Sequence, residues 1–136
     1  MAGKNLQIGD LLPAKKFMIN RELLKDYAEV SGDQNPIHQD EAFAKSVGLE
    51  NVIAHGMLTM AFGSSYLADW AGDSEVIKEY GARFTKPVVV PLGGEVAVEF
   101  SGKVIEVEGS KVKVEIRAEC AGQKVLGMAK ATLEWE

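Results

Sequence analysis

The chain has a single cysteine, Cys120, among its 136 residues. A lone thiol forms no internal disulfide, so the fold rests on its core, and a reducing cytoplasm is the expected location. Histidine is almost as scarce: there are two, His38 and His55. They are too far apart in sequence for an i,i+4 metal pair, and the cysteine has no companion ligand, so no metal is expected. No basic run occurs, and a net charge of −5 argues against non-specific nucleic-acid binding. Long apolar runs are missing too. The longest apolar region, Val52 to Trp70, is broken by His55, Gly56, Thr59, Gly63, Ser64, Ser65 and Asp69 and is too polar for a membrane span. Met1 to Asp10 lacks the apolar segment of a signal peptide. There is no phosphate loop, dinucleotide fingerprint or G-x-S-x-G elbow, and no linker or repeat.

What remains is an ordinary globular composition over one domain's length, residues 1–136. The first half reads as helical and the second as β-rich. That order predicts an α+β fold with an antiparallel sheet, because no alternating βα rhythm is present. Ala14 to Ile19 reads as a first strand. Asn20 is placed to cap a helix over Arg21–Val30, whose apolar residues Leu23, Leu24, Tyr27, Ala28 and Val30 keep helical spacing. Asp40 is placed to cap a short helix, Glu41–Val47, stopped by Gly48. A third helix, about His55 to Trp70, is apolar on most sides and is expected to be buried all round. Its Gly63, Ser64 and Ser65 suit either a sheet wrapped closely around it or a substrate needing room.

Period-two alternation follows. Val96, Val98 and Phe100 share one face, as do Val112, Val114 and Ile116, and then Gly127, Ala129, Ala131, Leu133 and Trp135. Turns are expected at Gly93-Gly94, Glu108-Gly109-Ser110 and Ala121-Gly122-Gln123. Pro87 and Pro91 bracket Val88-Val89-Val90, which reads as an edge or a connection. Cys120, at the end of an alternating strand, reads as a buried structural thiol.

The most informative stretch is Ser31-Gly32-Asp33-Gln34-Asn35-Pro36-Ile37-His38. It sets a carboxylate and an imidazole five residues apart around a proline-fixed turn. Two readings are open. Asp33 or Asn35 makes an Asx turn ahead of a capped helix; or Asp33 and His38 share one water, which an imidazole can deprotonate near neutral pH. Two readings are open for Gly56 as well. It is a tight entry to the third helix, or it lets a carbonyl oxygen approach the free N–H groups of the helix head. Lys45, Arg83 and Lys86 read as ordinary solvated charge, although each could meet a charged ligand.

These residues resemble the MaoC-type, R-specific enoyl-thioester hydratase/dehydratase family, also called hydratase 2. The family signature is an aromatic residue, a short spacer, a small residue followed by Gly-Asp-x-Asn-Pro-aliphatic-His, and a small residue six positions on. Tyr27, Ser31 to His38 and Ala44 match it. His55-Gly56-Met57-Leu58 and Arg83-Phe84-Thr85-Lys86-Pro87-Val88 are similar to its second and third shared segments. Val47-Gly48-Leu49 and Ile53 to Met60 resemble the catalytic subunit of actinobacterial (3R)-hydroxyacyl-carrier dehydratases.

The resemblance implies a single hotdog fold, a long helix wrapped by a curved antiparallel sheet. It implies reversible syn hydration of a trans-2-enoyl thioester to a (3R)-hydroxyacyl thioester. Asp33 and His38 would activate the water, and the Gly56 N–H would polarise the carbonyl. Asn35 would support the loop, and Ser64 aligns with a small polar position near the site. No cofactor is implied; coenzyme A or acyl carrier protein enters as part of the substrate. Hotdog sites lie at dimer interfaces, so a homodimer, or a heterodimer with a sister subunit lacking the dyad, is expected. The rivals are a hotdog acyl thioesterase, the catalytic half of a heterodimeric fatty-acid-elongation dehydratase, and a non-catalytic acyl-thioester-binding subunit.

Overall fold

In a computed structural model, which describes residues 5–135, the polar residues ahead of each early helix act as caps. Strand β1 runs Leu11–Asn20 and passes directly into helix α1, Arg21–Ser31. The Asn20 side chain accepts the Leu23 N–H at 2.8 Å, satisfying one of the free donors of the first turn. Gly32 ends the helix at φ 81°, where its N–H reaches the Ala28 carbonyl. A 3-10 turn follows at Pro36–His38, then helix α2, Glu41–Ser46, capped by Asp40 on the Phe43 N–H. Helix α3 spans Gly56–Ala71.

The remaining strands are β2 Ile77–Phe84, β3 Glu95–Glu108, β4 Lys111–Cys120 and β5 Gln123–Glu134. They form one antiparallel sheet with β1, in the order β1-β3-β4-β5-β2. The period-two faces sort as their sequence requires: Val112, Val114, Ile116 and Ala118 of β4 point inward and are buried. Phe100, Leu67, Ile19 and Leu126 are among the largest fully buried side chains, each contributing about 1.5–3 kcal/mol by leaving water. The antiparallel sheet wrapped on a buried helix is the hotdog arrangement expected above.

Register shifts interrupt every strand pairing, and such irregularities bend the sheet around α3. In β1 the register with β3 shifts between Leu12 and Lys15, at Pro13, which has no N–H for the ladder. The freed Pro13 carbonyl accepts the Tyr66 hydroxyl of α3 at 2.6 Å. In β5 the pairing with β2 slips between Gly81 and Arg83, and Met128 adopts φ 48° there.

Close approach of sheet to helix explains Gly63. A Cβ at that position would overlap the hydroxyl of Tyr80, which crosses α3 to donate to the Met60 carbonyl at 3.0 Å. Helix α3 is not buried all round, contrary to expectation. Met57, Ala61, Ser65 and Asp69 are exposed at four-residue intervals, one helical stripe. The sheet covers the helix from one side, and the small, polar and flexible residues of this stripe face out.

The proline-bracketed segment is a connection, as expected, and it positions the site. Val88 and Val90 pair with Ala54 and Val52 through backbone bonds of 2.9 and 2.8 Å. Arg21 clamps the same region, donating to the Val90 carbonyl and to Asn51 Oδ1, both at 2.8 Å. Residues 51–55 therefore enter α3 along a fixed path.

Candidate active site

The Asx reading of the proline turn holds, at Asp33 and at Asn35. Asp33 Oδ1 accepts the Asn35 N–H at 3.2 Å, and Asn35 Oδ1 accepts the Ile37 N–H at 3.2 Å. These are two consecutive Asx turns, and they fix the loop that carries the carboxylate. Asp33 itself is exposed, so its second oxygen is open to solvent.

His38 is buried at the end of the turn. Its Nδ1 lies 2.7 Å from the Ile53 carbonyl. A carbonyl only accepts, so Nδ1 carries the proton, and in the neutral ring Nε2 keeps the lone pair. The Ile53 N–H in turn reaches the Ile37 carbonyl at 3.2 Å, lacing the turn to the strand-like entry of α3.

That entry brings up His55, the residue immediately before α3. Its ring stacks on His38, with centroids 3.9 Å apart and planes 23° from parallel. Its Nε2–H donates to the backbone carbonyl of Asp33 at 3.1 Å, and the Tyr27 ring meets its face edge-on. Burial, first, and the neighbouring His38 charge hold its pKa below the ordinary 6.5. The sequence distance between the two histidines therefore does not keep them apart, as the metal argument assumed. Asp33, His38 and His55 each offer a donor atom, all within 4.8 Å of one another. One nitrogen of each ring is already committed to a backbone carbonyl, His38 Nδ1 to Ile53 and His55 Nε2 to Asp33.

A cavity of about 380 Å³ opens beside His38 and the head of α3. Gly56, Thr59, Phe84, Lys86 and Val125 are among its walls. The Gly56 and Met57 N–H groups belong to the first turn and have no partner within the helix. A Cβ on Gly56 would stand 3.0 Å from the Phe84 ring, so glycine keeps this corner open. Lys86 brings a cation to the mouth, Lys45 is paired with Glu41 at 3.0 Å, and Arg83 is exposed on β2. Ser64 lies eight residues beyond Gly56, ~12 Å along the helix at ~1.5 Å per residue, and is not among the cavity walls. Cys120 is buried, its thiol pushed up by desolvation, which suits an inert core residue.

Residues 7–122 match the family model described as "MaoC like domain". The chain belongs to the MaoC-like dehydratase family. It is 40% identical over 79 residues to 3-hydroxyacyl-thioester dehydratase X of Mycobacterium tuberculosis, covering 58% of this chain and 27% of that protein. A solved MaoC-like dehydratase superposes with a TM-score of 0.95 at 35% identity, over 98% of this chain and 42% of the other. The unliganded R-hydratase PhaJ1 of Pseudomonas aeruginosa superposes with a TM-score of 0.81 at 27% identity, over 98% and 85% of the two chains. The chain thus spans about a quarter of that mycobacterial relative.

Thr59 and Val125 are among the wall residues of this MaoC-like site that the sequence did not single out as site residues. Thr59 is buried and sits three residues after Gly56, on the same helical face. That spacing was the available signal. Val125 comes from β5, and no local pattern connects it to the loop or to α3.

Proposed function

We propose that the chain catalyses reversible syn hydration of trans-2-enoyl thioesters to (3R)-hydroxyacyl thioesters. One observation carries the reading: the Ile53 carbonyl holds the His38 Nδ1–H at 2.7 Å, on a ring that lines the cavity beside the head of α3. That bond leaves Nε2 as the base. The water sits between Nε2 and the free Asp33 oxygen. As the water oxygen bonds C3, Nε2 takes its proton, and the pair returns a proton to C2 on the same face. Electron density moved onto the thioester oxygen meets the Gly56 N–H and the positive end of the helix dipole. Asn35 holds the loop, and Thr59 offers a hydroxyl one turn further along the wall. Side chains and backbone supply every step in this reading, and coenzyme A or acyl carrier protein enters only as the acyl carrier.

We further propose that the working unit is a dimer, homomeric or with a dyad-lacking sister. Its support is the open side of the site, where Phe84 and Met57 are more than half exposed. Simultaneous recording of enoyl absorbance and free thiol tests the reaction class. Loss of the enoyl signal without thiol release is expected; thiol release with the enoyl signal intact would make the chain a thioesterase.

A further inference from the structure

Among the described residues, one buried side-chain nitrogen or oxygen has no hydrogen-bond partner: Nδ1 of His55. A buried acceptor left without a donor carries a desolvation cost, so the residue's other contacts must justify its place. His55 is 1% exposed and does not line the cavity. It touches instead the supports of all three proposed reacting groups. Its Nε2–H holds the Asp33 carbonyl at 3.1 Å, its ring face covers the His38 imidazole at 3.9 Å, and its own carbonyl accepts the Leu58 and Thr59 N–H groups behind Gly56.

We propose that His55 is a positioning residue, which locks the Asp33 loop and the His38 ring in register with the head of α3. The proposal rests on the hydratase reading above. The groups facing the ring are His38 and Asp33 from the loop and Tyr27 from α1. A second positive charge stacked on His38 is disfavoured, and the downward shift of His55 agrees with a neutral clamp. A neutral ring still donates one hydrogen bond and presents one flat face. Both contacts need only that.

Two variants separate them. His55→Phe keeps a flat face and loses the donor; His55→Gln keeps a donor and loses the face. Loosening a catalytic pair by a fraction of an ångström is expected to lower kcat by ~10-fold or more, with KM moving less than ~3-fold. In an Asp33→Asn background the His55→Phe change should cost little more, because the group it positions is already disabled. A purely structural role predicts instead that the two losses multiply. A second readout does not depend on activity. Amide exchange at Asn35, Ile37 and His38 should rise by ~10-fold or more in His55→Phe, while exchange in β3 and β4 stays unchanged.

Unchanged loop exchange, or losses that multiply in the double variant, would overturn the proposal. Wild-type protein without hydratase activity would sink the functional reading alone, and the exchange data would still decide the clamp. If His55→Phe fails to fold, His55→Leu, which also lacks the donor, is read in the same two assays.

Discussion

The imidazoles of His38 and His55 lie face to face, with 3.9 Å between centroids. Two such rings are poorly suited to carry positive charge together. The deeper ring, His55, is the one whose proton affinity burial lowers.

A stability profile follows from that shift. His55 binds its proton less readily in the folded chain than in the unfolded one, whose ordinary value is 6.5. The unfolded state therefore gains protons first as pH falls, and folding stability declines from about pH 6.5 downward. Above that pH this contribution is constant. Urea midpoints between pH 8 and pH 5 should show the decline in wild type and a flatter line in His55→Phe.

At the alkaline end the same linkage acts through Tyr66 and Tyr80. Burial raises both to about 12 from 10, so stability should fall as pH climbs between those values. Denaturation midpoints at pH 9 and pH 11 would measure it, with Tyr80→Phe reducing the drop.

Asp33→Asn and His38→Gln should each lower turnover by ~10²-fold or more, the scale of general acid–base catalysis. Asp33 is exposed and its loop is held by neighbouring amides, so its substitution should leave the thermal midpoint nearly unchanged. Turnover and melting measured on the same samples check both statements.

Gly63→Ala should cost ~1–3 kcal/mol, the range for overpacking. The added methyl competes with the Tyr80 hydroxyl for the same space. Tyr80→Phe in the same chain should recover part of the loss, which urea unfolding of the two single variants and the double would reveal.

Gly56→Val should lower turnover, because side-chain atoms would press on the Phe84 ring and crowd the helix head. Adding Phe84→Ala should restore stability but not turnover. Kinetics returning to wild type in that double variant would place the obstruction at Phe84 and remove Gly56 from the mechanism.

Much of this was legible locally. Asn20 and Asp40 cap their helices as a short polar acceptor before a helical stretch must, and the alternating valines of β4 point inward as read. The paired Asx turns were legible too, because their atoms lie two residues apart. The His38–His55 stack was not. It depends on Ile53 bonding back to Ile37 and on Val88 and Val90 holding residues 52–54, contacts that only the folded chain makes. The Met128 irregularity and the place of β2 beside β5 were hidden for the same reason. Nor does helical periodicity distinguish a helix covered on every side from one with an open stripe of Met57, Ala61, Ser65 and Asp69, since alanine and methionine fit either setting.

The central claim is best tested by hydration of crotonyl-coenzyme A by the purified chain, following enoyl absorbance and the configuration of the product. The account predicts the 3R alcohol, formed by wild type and lost in Asp33→Asn. A 3S product, or equal turnover in wild type and Asp33→Asn, would contradict it.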